Sequence, residues 1–222
     1  MITHHPSHEM IVEYANGTLP SAESLLVASH ASMCVHCRRQ IAEYEDIAAA
    51  LLEAGEEAPM AAGSLDALLA RIDRDEENGA SDEAPVEPAA LDEETRRLVP
   101  PPLRPLLPSS LPSLRWRRIG RGIRQAELSD YGTGRVALLE IRGGQRVPSH
   151  THTGNEYTLV LQGAFRDGDA HYASGDVALA DPSVDHAPVA DEGAPCLCLT
   201  IRDGRTRLTG PVGRLLSPVI DG

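Results

Sequence analysis

From residue 144 to residue 163 the chain reads G-x5-H-x-H-x3-E-x6-G, with His150, His152 and Glu156 at the polar positions. This stretch restricts the fold more than any other. Two histidines separated by one residue send their rings to the same side when the backbone is extended. Gly154 then allows a short turn that returns Glu156 toward them. Further on, His186 can close the set from a neighbouring strand. Three neutral imidazoles and one carboxylate suit Zn2+, Fe2+, Mn2+ or Ni2+, and no thiolate is present to select among them. The flanking sequence agrees with an all-β reading. Short alternating segments with Gly turns cover 115–120, 123–128, 135–141, 156–162, 163–167, 171–173, 176–180, 186–189, 196–201 and 207–208. This regular spacing predicts an antiparallel sandwich or barrel over residues 114–222.

A second metal pattern lies near the N-terminus, where His30, Cys34 and Cys37 read H-x3-C-x2-C. The apolar run Leu25, Leu26, Val27 and Ala28 before it is helical. Residues four apart share a helix face, so His30 and Cys34 converge. Cys37 joins them if the chain turns just after Cys34 and a new helix starts at about Val35. One imidazole and two thiolates at this spacing suit tetrahedral Zn2+. The fourth position belongs either to water, in a catalytic site, or to a distant side chain, in a structural one. No acid or base stands beside the motif, which favours a closed structural site. His4, His5 and His8 are the available donors, and His36 is expected to face solvent.

Helices should surround this motif. Ser7 is a plausible N-cap with Glu9 in the first turn, and Gly17 stops the first helix. A second runs from Pro20 or Ser21 to the motif. A third, over 35–54, carries Ile41, Tyr44, Ile47, Ala48, Leu51 and Leu52 at helical spacing. A fourth opens at Ser64 with Leu65, Leu68, Leu69 and Ile72 on one face. Four short helices bury a limited core, which a metal clip would reinforce. Residues 1–75 are thus expected to form a small all-α metal-binding domain. Residues 76–113 are rich in acids, Ala and Pro and include Pro100-Pro101-Pro102-Leu103-Arg104-Pro105. They are expected to be a semi-rigid tether, with Leu103, Leu106 and Leu107 able to dock on the second domain.

The charge is unevenly spread. Residues 1–77 hold 14 acids and 4 arginines, a net of −10, whereas residues 114–222 hold 13 of each. An acidic helical domain suits a basic protein partner, and nucleic acid is not expected as a ligand because phosphate binding needs clustered Arg or Lys. No run of 18 apolar residues occurs and the N-terminus is polar and His-rich. A cytoplasmic protein without membrane contact is expected.

The H-x3-C-x2-C motif, together with the preceding His5-Pro6-Ser7 and Tyr14-Ala15-Asn16-Gly17-Thr18-Leu19, resembles the zinc-binding anti-sigma factors over residues 1 to about 75. Those proteins bind and silence an extracytoplasmic-function sigma factor. The resemblance implies that an N-terminal histidine completes the zinc site, and alignment on this segment selects His5. The G-x5-H-x-H-x3-E-x6-G spacing matches the first cupin motif, and residues 114–205 resemble a cupin jelly roll. Gly175-Asp176 and Pro182 to His186 stand where the second cupin motif would, with Pro-Ser-Val-Asp-His in place of Pro-x-Gly-x-x-His. A zinc anti-sigma domain followed by a cupin, with Gly163-Ala164-Phe165-Arg166-Asp167 after the first motif, is similar to the ChrR-type anti-sigma factors. That resemblance implies 1:1 silencing of a sigma factor through residues 1–75 and release under photo-oxidative stress such as singlet oxygen. It also implies that the cupin domain is needed for the response and that no residue is catalytic.

Another class stands beside this one: a cupin metalloenzyme, a dioxygenase or isomerase, with a helical oligomerisation domain. An enzyme needs a base near its metal, and His171 and Tyr157 are weak candidates. Cys196 and Cys198 would share a strand face with Cα atoms about 6.5–7 Å apart, near the limit for a disulfide. They are either an oxidant-sensing pair near the cupin metal or two small apolar core residues, the second being the simpler reading.

Overall fold

The computed structural model describes residues 1–77, 91–130 and 134–210. Residues 78–90 of the expected tether and residues 211–222 of the expected β domain lie outside the described residues. Among the described residues five α-helices come first: α1 (His8–Ala15), α2 (Ser21–Met33), α3 (Val35–Glu53), α4 (Ser64–Glu77) and α5 (Glu93–Leu98). The Ser7 hydroxyl accepts a hydrogen bond from the Met10 N–H at 3.3 Å, the expected cap of α1. Gly17 sits at φ +70°, where a side chain would be strained, and lets the chain leave α1. Cys34 closes α2 and opens α3 in an extended conformation, φ −113° and ψ 106°. That single residue makes the corner the H-x3-C-x2-C spacing called for.

Eleven strands follow among the described residues: β1 (Arg117–Gly120), β2 (Ile123–Asp130), β3 (Arg135–Ile141), β4 (His150–His152), β5 (Glu156–Gln162), β6 (Ala164–Asp167), β7 (Ala170–Ala173), β8 (Val177–Ala180), β9 (Val189–Ala190), β10 (Cys196–Arg202) and β11 (Thr206–Leu208). All named pairings are antiparallel. They form a six-stranded sheet ordered β1-β2-β3-β10-β5-β8, a three-stranded sheet β7-β6-β9 and the pair β11-β4.

The large sheet is covered on both faces. Along β10, Leu197, Leu199 and Ile201 join a core that includes Met10, Ile11, Leu26 and Val27 of the helices. The alternate residues Cys196 and Cys198 join a second core with Ile123, Ile141, Val160 and Phe165, inside the β domain. Period-2 alternation sends successive side chains to opposite faces, so a strand buried on both sides reads as one apolar run. That accounts for Cys196-Leu197-Cys198-Leu199-Thr200-Ile201, in which each residue is buried.

The expected tether is, over its described part, a folded strap. The Asp92 carboxylate caps α5 by accepting from the Thr95 N–H at 2.7 Å, and the Thr95 hydroxyl accepts from the Leu111 N–H at 2.9 Å. Two 3-10 turns, Pro101–Leu106 and Leu111–Ser113, follow. Pro101, Pro102 and Pro112 are tolerated at the first positions of these turns because the first N–H groups of a helix have no acceptor within it, while Pro105 lies inside the first turn. Val99, Leu103, Leu107 and Leu114 are buried in the core shared by helices and sheet. The prolines thus shape a tight path across the protein without keeping the chain extended.

The apolar stripes behave differently from their expectation too. Cys37 and Ile41 at the start of α3 are buried, but Ile47, Leu51 and Leu52 are 55%, 71% and 83% exposed. Leu65, Leu68, Leu69 and Ile72 of α4 are also exposed. Helical spacing identifies an apolar face without saying what covers it, and within the described chain these faces are bare.

Candidate metal centres

The N-terminal quartet assembles at the α2–α3 corner. His30 comes from the last turn of α2, Cys34 is the corner and Cys37 lies in the first turn of α3; His5 arrives from the segment before α1. His5 Nδ1 lies 3.3 Å from His30 Nε2, 3.5 Å from Cys34 Sγ and 3.3 Å from Cys37 Sγ. His30 Nε2 lies 3.3 Å from Cys37 Sγ. A tetrahedral zinc with Zn–N near 2.0 Å and Zn–S near 2.3 Å has ligand–ligand edges of roughly 3.3–3.7 Å. The four donors therefore fit a metal. Buried His30 donates its Nδ1–H to the Gly175 carbonyl at 2.8 Å, which turns the Nε2 lone pair toward the cluster. Burial lowers its pKa to about 4, so it stands neutral and ready to coordinate. Burial, with Cys34 adjacent, pushes the Cys37 thiol up to about 12. Without a cation the Cys37 thiol keeps its proton, so metal binding expels it and weakens as pH falls. Of the other N-terminal histidines, His8 pairs with the Tyr44 hydroxyl and His4 with Asp176.

The second quartet lies at the mouth of the β domain. His150 and His152 come from β4, Glu156 opens β5, and His186 pairs with His150 through two backbone hydrogen bonds of 3.0 Å. The four ligand atoms lie within 4.8 Å of one another, with His152 Nε2 3.3 Å from His186 Nε2 and 3.8 Å from Glu156 Oε1. His150 Nδ1 donates to the Pro148 carbonyl at 2.8 Å, and His186 Nδ1 faces Asp167 Oδ2 at 2.6 Å. These outer contacts aim both Nε2 atoms inward. Burial holds His150 down to about 4 and His152 to about 3. Burial also opposes charge on His186, but the Asp167 carboxylate outweighs it and raises the pKa. His152 Nδ1 is buried with no hydrogen-bond partner. Three imidazoles and one carboxylate converging here suit a cation. Asp167 and Asp176 stand in the motif segments quoted above, but the contact of Asp167 with His186 and the backbone hydrogen bonds that Asp176 accepts are long-range and not encoded by spacing.

The family model of the ChrR cupin-like domain matches residues 110–203. Over 217 residues, 98% of this chain and 97% of the relative, the sequence is 38% identical to the anti-sigma-E factor ChrR of Cereibacter sphaeroides. The chain belongs to the ChrR family of anti-sigma factors. Its structure is also similar to a solved complex, Rhodobacter sphaeroides SigE with the anti-sigma ChrR. The TM-score is 0.75 at 36% identity, covering 91% of this chain and 100% of that one.

As a ChrR-family anti-sigma factor the protein is a regulator, and membership of that family decides against the metalloenzyme reading. The helical region with its His/Cys cluster and the cupin domain are the two parts expected. Neither candidate base serves the cupin cavity: His171 pairs with Asp191 Oδ2 at 2.7 Å, and Tyr157 packs against the helical side of the sheet. Cys198 does line that cavity, beside His150, Glu156 and His186. Cys196 Sγ lies 3.6 Å from Cys198 Sγ, both as free thiols. The contact with Cys196, with burial, raises the Cys198 pKa. No helix among the described residues is long and apolar enough to cross a membrane.

Proposed function

We propose that this protein binds an extracytoplasmic-function sigma factor in the cytoplasm as a 1:1 complex, through residues 1–75, and keeps it silent until oxidative stress such as singlet oxygen reaches the cupin domain. Zn2+ held by His5, His30, Cys34 and Cys37 is structural. The metal of His150, His152, Glu156 and His186, Zn2+ or else Fe2+, Mn2+ or Ni2+, belongs to the input element. The observation that carries the reading is the bare apolar faces of α3 and α4. Ile47 and Leu51 are exposed on α3, which also carries the exposed acids Glu43, Asp46 and Glu53, and Leu65, Leu68 and Leu69 are exposed on α4. Helices with apolar residues at i, i+3 and i+4 dock into partner grooves, and an acidic rim attracts a basic partner. The ChrR relative was crystallised with its sigma factor. Co-expression with a candidate extracytoplasmic-function sigma factor from the same genome tests the reading. A 1:1 complex should co-purify by size exclusion; two separate peaks would reject it.

His150→Ala and Glu156→Ala are expected to leave basal repression intact and to abolish induction by a singlet-oxygen photosensitiser in a reporter strain. Release needs only a 10–100-fold loss of affinity, about 1.4–2.7 kcal/mol. Normal induction in both variants would put the sensor elsewhere. Derepression without oxidant would mean that the cupin helps to hold the partner.

A further inference from the structure

The N-terminal quartet is not built by the helical domain alone. The turn between β7 and β8 reaches across to two of its four ligands. Asp176, 2% exposed, accepts hydrogen bonds at Oδ1 from the Thr3 N–H (2.7 Å) and the His4 N–H (2.9 Å), while its Oδ2 accepts from the Ala173 N–H at 2.9 Å. The Val177 N–H donates to the His4 carbonyl at 3.1 Å. The residue gripped on both its N–H and its carbonyl is therefore the one immediately before the ligand His5. Gly175, next to Asp176, accepts the Nδ1–H of the ligand His30. Its φ of +94° suits glycine, and a Cβ there would lie 2.5 Å from Ile2 Cδ1, so the N-terminal segment seats directly on it. Burial disfavours charge on Asp176, but the donated backbone hydrogen bonds win and hold its carboxyl below the usual range.

We propose that the Gly175–Asp176 turn is a clamp by which the cupin domain sets how firmly the N-terminal quartet keeps its metal, with Asp176 as the positioning residue. The inference rests on the reading that His5, His30, Cys34 and Cys37 bind a metal. The clamp is also wired to the other quartet. Val160 of β5 holds the turn by two hydrogen bonds, its N–H to the Asp176 carbonyl at 3.0 Å and its carbonyl from the Gly175 N–H at 2.8 Å. Glu156 opens that same strand, and β8 runs beside it in register, Glu156 opposite Ala180 and Leu159 opposite Val177. One strand pair thus ends on a cupin ligand and on the clamp. A shift of β5 at the cupin centre is delivered to the supports of His5 and His30, and the output is a change in metal retention at the helical corner.

The test uses the full chain loaded with Co2+, because thiolate-to-cobalt charge-transfer absorption reports the Cys-containing quartet alone. Loss of that band under excess chelator gives the dissociation rate. Asp176→Leu should speed it by about 10–100-fold, the range usual for outer-shell partners of metal ligands. Asp176→Asn, which keeps the Oδ1 acceptor, should recover most of the difference. Thr3→Pro removes a donor from the opposite side and leaves the cupin sequence untouched. It should also raise the rate, and combined with Asp176→Leu it should add little. Equal rates in parent and Asp176→Leu, or loss only in variants that also release the cupin metal, would overturn the clamp. Absence of the band in the parent chain would instead overturn the metal reading of the quartet.

Discussion

Cys37→Ser is expected to cost the chain one of two bound metal ions and, with it, the capture of its sigma factor. Cys37 is fully buried in the first turn of α3, within 3.3 Å of both His5 and His30. Structural zinc sites in small domains supply about 10–16 kcal/mol of apparent binding free energy, coupled directly to folding. A serine keeps the volume but offers a poor ligand for a soft site. Buried, neutral His30 and buried Cys34 would then be left without the cation that joins them. The damage should be local. On the turns of α2 before His30, Ala22, Leu26 and Val27 pack in the core shared with the sheet and are expected to hold without metal. The positions of α1 and α3 depend on the corner. Metal analysis should fall from two equivalents to one, far-UV circular dichroism should lose part of its helical signal, and the complex should fail to form. Two retained equivalents with an unchanged melting curve would show that the quartet holds nothing.

Leu51→Asp combined with Leu69→Asp should weaken sigma-factor binding by more than 100-fold, at least about 2.7 kcal/mol. Both side chains are exposed, 71% and 49%, so the free protein loses little by the change; substitutions of that kind usually shift stability by under about 0.5 kcal/mol. In an interface each aspartate would be buried without a partner, and each lost leucine would forfeit a desolvated anchor. The two measurements should separate: a melting temperature close to the parent's, and a titration with almost no binding. An unchanged dissociation constant would move the partner surface off α3 and α4.

Much of this architecture was legible in particular residues. The H-x3-C-x2-C spacing gave the corner at Cys34, and the alternation around His150 and His152 gave β4 and the turn to Glu156. His186 joins its quartet although Pro-Ser-Val-Asp-His departs from the usual motif. Its place is fixed by the backbone pairing with His150, which a side-chain pattern does not record. The choice of His5 over His4 and His8 came from resemblance, since composition there is degenerate. What stayed hidden was long-range. The spacing of Val99, Leu103 and Leu107 is helical, but the density of prolines around them pointed to a tether. Leu51 and Leu69 look like core in a sequence because periodicity does not distinguish a neighbour in the same chain from one in another.

The sheet whose β10 is buried on both faces also bears on how such proteins diversify. Its outer row, Leu197, Leu199 and Ile201, is the floor on which α1 and α2 rest. A cupin excised from this chain would carry that row into water as an adhesive strip. A helical domain moved onto a foreign cupin would meet a floor not cut for it. Exchange of sensors between such regulators by simple recombination is therefore expected to yield insoluble chimaeras. New signals should be acquired by substitution inside the barrel, where the opposite row of the same strand can change without disturbing its neighbour.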